Sequence, residues 1–124
     1  MTNKIEVTHV SKQDNTLRLH TNESTDVLDV RASGRMLVDS DSLAFIYILE
    51  NDNEFTYVSL PTSIWHDLNK VIKEGLHTIL LLGNNELVLE GIIEELEYLI
   101  SNIEGNSNYG EEMVEKVEDI FLKA

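Results

Sequence analysis

The sequence predicts an α+β fold: residues 1–124 form a single domain with a largely antiparallel sheet of about five to seven strands and three helices, two of them consecutive at the C-terminus. An unbroken apolar run from Leu43 to Leu49 is typical of a strand that is covered on both faces. The spacing of apolar residues changes from alternate to helical after Pro61, and again after Gly91. A length of 124 residues suits one domain with one core.

The chain begins with two alternating segments, residues 4–10 and 16–21, which predict half-buried strands. Residues 11–15 between them have the length and the turn chemistry of a hairpin loop. Alternation places His9 on the apolar face of the first strand. Residues 22–34 are polar with a short apolar core, and they predict either an edge strand or an ordered loop.

Residues 34–60 predict the central hairpin of the sheet, turned by Asn and Asp at residues 51–53. Its second strand is expected to end at Leu60, because Pro61 has no backbone N–H for the ladder and suits the first turn of a helix. Apolar residues then recur at helical spacing, and Gly75 is a natural end for this helix.

A second hairpin is predicted from residues 76–82 and 86–90, which flank a Gly-Asn-Asn turn. Two helices follow, the first of them between Gly91 and Gly105. Their apolar residues predict buried faces, and their acidic residues predict outer, solvated faces. The acids of the first helix are Glu94, Glu95 and Glu97. The acids of the last helix are Glu111, Glu112, Glu115, Glu118 and Asp119.

Acidic residues dominate the composition: 23 Asp and Glu stand against nine Lys and Arg, for a formal net charge of −14. From Glu86 onward there are eleven acids against two lysines. Because binding to phosphates and to anionic lipid depends on Lys and Arg, direct binding to nucleic acid or membrane is disfavoured. A basic protein partner is compatible with this charge, although an acidic helical face is usually just a solvated one.

The absence of cysteine excludes disulfides, thiolate catalysis and metal sites that use sulfur ligands. Residues 1–10 have no apolar run behind basic residues, and no apolar run approaches the roughly 20 residues that span a bilayer. These features predict a cytoplasmic protein. No phosphate-binding loop, dinucleotide fingerprint or nucleophile motif is present, and the four histidines form no local metal pattern. We therefore expect no cofactor, no metal and no catalytic residue.

Asp39 and Asp41 are separated by one residue, with serines between and after them, just before the long apolar run. Their oxygens are suitable ligands for Mg²⁺ or Ca²⁺, yet the segment lacks the glycine and the late glutamate of an EF-hand loop. Asp and Ser are also common turn formers, because their side chains bond to nearby backbone. The turn is the favoured interpretation, and the two carboxylates are retained as candidate binding residues.

Residues 104–112, with the sequence EGNSNYGEE, form the joint between the last two helices. The joint contains many hydrogen-bonding groups and few apolar ones. In a structural interpretation, Asn108 caps the last helix and Gly105 ends the helix before it. In the other interpretation this is a recognition loop, with Asn106, Asn108 and Tyr109 as binding residues, since loops on rigid scaffolds often carry binding.

Residues 34–50, Trp65 and residues 94–118 resemble an uncharacterised family of small acidic proteins from Bacillus-like and staphylococcal bacteria. The motifs MLVDSD and EGNSNYG carry most of this resemblance. It runs from about Lys4 to the C-terminus and is weakest at residues 21–33. The resemblance implies a bacterial cytoplasmic protein, and it brings no activity, ligand or catalytic residue with it.

Two functions of different classes remain open. The leading hypothesis is a non-enzymatic protein-interaction module, which binds through its acidic C-terminal helical face or through the asparagine-rich loop. The alternative is a small enzyme or metal-dependent binder that uses Asp39, Asp41 and neighbouring carboxylates. Carboxylates that converge in a pocket favour the alternative, whereas a shallow apolar or acidic patch favours the interaction module.

Overall fold

A computed structural model describes residues 3–21, 30–52 and 54–123. Within these ranges the chain forms a seven-stranded sheet and three α-helices. The strands are β1 (Asn3–Gln13), β2 (Thr16–Thr21), β3 (Arg31–Asp39), β4 (Ala44–Glu50), β5 (Phe55–Pro61), β6 (His77–Leu82) and β7 (Asn85–Val88). The helices are α1 (Trp65–Glu74), α2 (Ile92–Ile103) and α3 (Glu111–Val117), and α3 continues into a π-helical turn (Glu118–Leu122). These elements confirm the predicted α+β class.

The strands lie in the order β3-β4-β5-β1-β2-β6-β7. Paired strands that follow one another in the chain are antiparallel, whereas β1 pairs with β5, and β2 with β6, in parallel. The middle strand is β1, so the prediction that residues 34–60 form the central hairpin is wrong. β4 is second from one edge, and its outward Ile46 and Ile48 are only 5% and 8% exposed because β3 and β5 flank them. An apolar pattern on both faces of a strand therefore indicated that the strand has neighbours on both sides, and not that it lies at the centre of the sheet.

Three predicted strand ends are also wrong. β1 runs on to Gln13, which leaves a two-residue turn headed by Asp14 in place of the loop at residues 11–15. β5 includes Pro61, because the missing N–H of a proline is tolerated at the end of a strand. β7 ends at Val88, two residues earlier than predicted.

Two predicted segments lie partly outside the described residues. The segment at 22–34 is described only from Val30 onward, and its described part leads into β3, an edge strand of the sheet. The turn at 51–53 is described except for residue 53. Asn51 closes this turn, since its Oδ1 accepts a hydrogen bond from the backbone N–H of Glu54 at 2.8 Å.

A bulge in β1 removes His9 from the apolar face on which alternation placed it. The pairing with β2 shifts between Val7 and His9, so that His9 stands opposite His20. The two imidazoles are stacked with their ring centroids 4.4 Å apart, and the His9 side chain is exposed. The prediction for His9 is wrong because one extra residue reverses the side-chain alternation beyond it.

The core lies between one face of the sheet and the three helices. An aromatic cluster occupies it, made of Phe45 from β4, Trp65 from α1 and Phe121 from the π-helical turn. The ring centroids are 4.9 Å apart for Phe45 and Trp65, and 5.8 Å apart for Trp65 and Phe121. The indole N–H of Trp65 donates to the carbonyl of Leu60 at 3.0 Å, so the fully buried ring leaves no donor unpaired.

The two edges of the sheet approach each other at a contact that we call the edge seam, made of Gly34, Tyr47, Glu90 and Gly91. The buried Tyr47 hydroxyl donates to the carbonyl of Glu90 at 2.5 Å and accepts from the N–H of Gly34 at 3.2 Å. A Cβ atom on Gly91 would lie 3.7 Å from the Cα of Gly34. Because both glycines have φ of +75°, a side chain at either one would strain the backbone. The edge seam thus joins β3 and β4 to the connection between β7 and α2.

Glu95 stabilises the same junction, contrary to the prediction that it lies on a solvated face. Its Oε1 accepts a hydrogen bond from the N–H of Met36 at 3.1 Å, and the side chain is half-buried. Met36 follows a bulge in the edge strand β3, where the pairing with β4 is interrupted. A donor on the open edge of a strand needs a partner, and a carboxylate on α2 supplies it.

The aromatic cluster predicts a large effect for Phe45→Ala. Removing the fully buried ring leaves a cavity against Trp65 and Phe121, so we expect the free energy of unfolding to fall by about 3–5 kcal/mol. Leu37→Ala is the matched control, because Leu37 is 44% exposed and should cost less than about 1 kcal/mol. Urea denaturation of both variants checks this, and similar losses for the two would contradict a core position for Phe45.

The edge seam predicts a pH-dependent effect for Tyr47→Phe. Losing both hydrogen bonds should lower the free energy of unfolding by about 1–3 kcal/mol near neutral pH. Burial raises the pKa of the Tyr47 hydroxyl above its usual 10.0, and Glu90 and Glu95 raise it further, against the opposing effect of the Gly34 hydrogen bond. The folded state therefore keeps a proton that the unfolded state loses, so this contribution is complete below pH 10.0 and is lost as the pH rises through the folded pKa.

Alkaline denaturation of the wild type and Tyr47→Phe measures this difference. The gap in stability between them should be constant at neutral pH and should narrow above pH 10.0. A gap that does not change with pH would show that the hydroxyl titrates alike in the folded and unfolded chains.

Candidate functional site

An open groove runs between α1, α2 and the C-terminal π-helical turn, and we call it the helical groove. Its volume is about 230 Å³. Its apolar lining is formed by Ile72, Ile100, Phe121 and Leu122. Its charged rim is formed by Lys73 from α1 and by Glu97 and Glu104 from the α2 side. The groove therefore combines an apolar floor with an exposed rim that has two acids on the α2 side and one lysine on the α1 side.

The π-helical turn builds one wall of the helical groove. The N–H of Lys123 donates to the carbonyl of Glu118 at 2.9 Å, which closes a turn one residue wider than an α-helical turn. In this turn Phe121 is buried against Trp65, whereas the next residue, Leu122, is 43% exposed. Departures of this kind from regular α-helix are frequent at functional sites.

The exposed surface of α2 and α3 is strongly acidic. The exposed acids of α2 and α3 are Glu94, Glu97, Glu111, Glu112 and Glu115. Lys123 forms an ion pair with Asp119 at 2.9 Å, and the hydrogen bond and charge of that carboxylate raise the pKa of the lysine. One of the two lysines in this part of the chain is thus already neutralised by a local acid.

The loop between α2 and α3 is organised by Asn106. Its Oδ1 accepts from the N–H of Asn108 at 3.1 Å, and its Nδ2 donates to the carbonyl of Asn102 at 3.2 Å. The prediction that Asn108 caps the last helix is wrong, because α3 begins after Gly110 and Asn106 caps a short 3₁₀ turn instead. A φ of +93° at Gly110 redirects the chain between that turn and α3.

The three candidate loop residues differ in accessibility. Asn108 is exposed, Asn106 is half-buried, and the Tyr109 ring packs partly against the core. The loop adjoins the helical groove, since its first residue, Glu104, belongs to the groove rim. The N–H of the following Gly105 donates to Oε2 of Glu118 at 2.9 Å, which anchors the loop to the π-helical turn.

Asp39 and Asp41 lie elsewhere, at the border of a second groove on the opposite face of the sheet, which we call the sheet groove. Its volume is about 390 Å³. Asp39 Oδ1 accepts from the N–H of Ser42 at 3.2 Å, which is the bonding of a turn-forming aspartate. Leu43 completes this turn with a φ of +52°. The structure thus places the two aspartates together, and apart from Asn106, Asn108 and Tyr109.

The described residues contain no group of three or more His, Asp or Glu side chains that is placed to hold a metal ion. His9 and His20 form a stacked pair of rings only. Ser11 Oγ lies 2.8 Å from His20 Nε2. Partial burial, with the neighbouring His9 and Arg18, lowers the pKa of His20 and favours its neutral form.

The apolar residues of the helical groove were not predicted as a binding site from the sequence. The sequence pattern assigned Ile72 and Ile100 to buried helix faces and left Leu122 without a role. A signal was present, because Ile120, Phe121 and Leu122 are three consecutive apolar residues at the end of an amphipathic helix. Such a run is wider than one buried helix face requires.

No helix within the described ranges is long and apolar enough to cross a membrane. A model of the family described as "Family of unknown function (UPF0738)" matches residues 5–121. A UPF0738 protein of Bacillus licheniformis is 49% identical over 122 residues, which cover 98% of this chain and 100% of the relative. UPF0738 proteins of Bacillus cereus and Bacillus thuringiensis are 44% identical over 123 residues, with the same coverage. No solved structure matches the chain significantly.

The loop geometry predicts that Asn106→Ala and Asn108→Ala differ. Asn106→Ala removes two side-chain hydrogen bonds, so we expect a loss of about 0.5–2 kcal/mol in the free energy of unfolding. Asn108→Ala is the matched control, because its side chain is exposed and its backbone bond to Asn106 stays, and it should change stability by less than about 0.5 kcal/mol. Thermal melting of both variants tests this, and the reverse order would return the capping role to Asn108.

Proposed function

This chain belongs to the UPF0738 family, whose function is unknown, and we propose that it is a protein-interaction module. In this proposal its helical groove holds a basic amphipathic segment of a partner protein. The observation that carries the proposal is the apolar floor of the groove, open to solvent beside the acidic border of α2. The proposal names no catalytic step.

The size of the helical groove favours side-chain anchors over a whole small molecule. Pockets for drug-sized ligands hold roughly 300–1,000 Å³, and this groove holds about 230 Å³. Leu122 is 43% exposed and Ile72 is half-buried, so apolar side chains of a partner would remove their surface from water. Interfaces typically depend on a few anchors of this kind.

The charge of the rim determines which partner fits. Two exposed acids on the rim, Glu97 and Glu104, stand against one exposed lysine, Lys73, and the protein as a whole carries −14. Lys and Arg that flank the apolar residues of a partner would meet these acids, and the field would speed their encounter. The neighbouring loop offers Asn106, Asn108 and Tyr109 as further contacts at one end of the groove.

The alternative of a small enzyme or metal-dependent binder would use Asp39 and Asp41. Both carboxylates border the sheet groove, which is the observation in its favour. However, Asp39 already accepts a hydrogen bond from the backbone of Ser42, as a turn-forming residue does. The helical groove is therefore the better supported site for the principal function.

The single tryptophan allows a direct test of the helical groove. Trp65 lies 5.8 Å from Phe121, whose ring belongs to the groove lining. A synthetic amphipathic peptide of Leu and Lys should therefore cause a saturable change in Trp65 fluorescence. Leu122→Glu should weaken this binding about tenfold, because a charge replaces an apolar contact.

Val88→Glu is the matched control, since it makes the same change at a side chain that is 50% exposed and outside the groove. Non-specific attraction of the basic peptide would be strengthened by either glutamate. A loss of affinity confined to Leu122→Glu therefore identifies the apolar contact. Equal affinities for the two variants would contradict the proposal.

A further inference from the structure

The sheet groove, on the face of the sheet opposite the core, has features that the helical groove does not share. Four neighbouring strands build it, in the order β3, β4, β5 and β1. Its apolar floor consists of Leu37, Ile46 and the ring of Tyr57. Pairing places Leu37 opposite Ile46, and Lys4 opposite Tyr57. The groove therefore crosses the strands from Lys4 on one side to β3 on the other.

Opposite charges mark the two ends of the sheet groove. Lys4 lines one end, and Asp39 and Asp41 line the other. None of the ion pairs in the described ranges includes Lys4, although acids outnumber bases in the protein by 23 to nine. Asp39 uses Oδ1 for the backbone of Ser42, which leaves its second oxygen for another donor. A cation and two carboxylates thus line one groove without neutralising each other.

The spacing of the strands indicates the length of a complementary ligand. Three interstrand steps of ~4.8 Å, or about 14 Å, separate β1 from β3. The register also sets Lys4 level with Ile48 and Asp39 level with Ala44, which adds about 13 Å along the strands, so the two backbones are roughly 19 Å apart. An extended peptide advances about 3.5 Å per residue, so four residues span about 14 Å, and the long side chains of Lys4 and of a terminal arginine in the peptide cover the rest. The groove volume of about 390 Å³ falls in the range of small-ligand sites, roughly 300–1,000 Å³.

We propose that the sheet groove binds a free oligopeptide of about four residues, with a basic group at Asp39 and Asp41 and the C-terminal carboxylate at Lys4. Apolar side chains of the peptide lie on Leu37, Ile46 and Tyr57. Charge complementarity supports this assignment. The two charged ends of a zwitterionic peptide would pair with the oppositely charged ends of the sheet groove, and the apolar middle of the peptide would cover the apolar floor. Peptide binding at the sheet groove does not depend on the function proposed for the helical groove, so either proposal can be wrong without the other.

Isothermal titration calorimetry with the tetrapeptide Arg-Leu-Ala-Leu and its C-terminal amide tests the assignment. The free acid should bind saturably, and the amide about fivefold more weakly, the scale of one partly exposed ion pair. Non-specific attraction to a protein of charge −14 would instead favour the amide, which is more cationic. A preference for the amide, or no saturable binding of the acid at millimolar concentration, would overturn the proposal.

Variants at the two ends of the sheet groove test where the peptide binds. Lys4→Met should abolish the preference for the acid over the amide. Asp39→Asn with Asp41→Asn should weaken both peptides about fivefold, while asparagine still offers Ser42 an acceptor oxygen. Lys70→Met is the matched control, since Lys70 is an exposed lysine on α1 outside the groove. A preference that survives Lys4→Met, or that is equally lost in Lys70→Met, would refute binding at this groove.

Discussion

The buried hydroxyl of Tyr47 imposes the constraint that brings the two edges of the sheet together and positions α2. A phenol oxygen in the core needs hydrogen-bond partners, and it finds them in the backbone of Gly34 and Glu90. These two residues belong to opposite ends of the strand order, so satisfying one side chain brings the edges of the curled sheet together. Since α2 begins directly after Gly91, the same contact positions the helix that forms the acidic side of the helical groove.

The edge strand β3 is protected rather than left open for pairing. Its bulge interrupts the ladder with β4 between Ala32 and Met36, and Glu95 from α2 bonds to the N–H of Met36. An uninterrupted edge would offer a row of unpaired backbone groups to other chains. With this edge occupied by α2, the outer surface of β3 contributes side chains to the sheet groove instead, with Leu37 on its floor.

Apolar and charged groups are arranged differently on the two sides of the molecule. On the helical side, Glu97 and Glu104 border an apolar groove opposite Lys73, and Lys123 is already paired with Asp119. On the sheet side, Lys4 and Asp39 line one groove at a distance set by the intervening strands. The proposed partner of the helical side is therefore a basic amphipathic segment, and the proposed ligand of the sheet side carries both charges. One small domain can present both grooves because its core lies against only one face of the sheet, the face opposite the sheet groove.

Except at residues 22–34 and in the π-helical turn, the sequence was sufficient to predict the type of the helices and strands, since alternate and helical spacing are local properties that a strand or helix imposes on its own side chains. It therefore identified the buried run that became β4, the three helices, and the end of α1 at Gly75, whose φ is +66°. The strand order could not be predicted from local spacing, because the parallel pairs of β1 with β5 and of β2 with β6 join segments far apart in the chain. For the same reason the candidate sites were only partly predictable. Asp39 and Asp41 were identified from local chemistry, whereas their place in one groove with Lys4, the hydrogen bond of Glu95 to Met36 and the opening beside Leu122 depend on packing between distant segments, which no local spacing encodes.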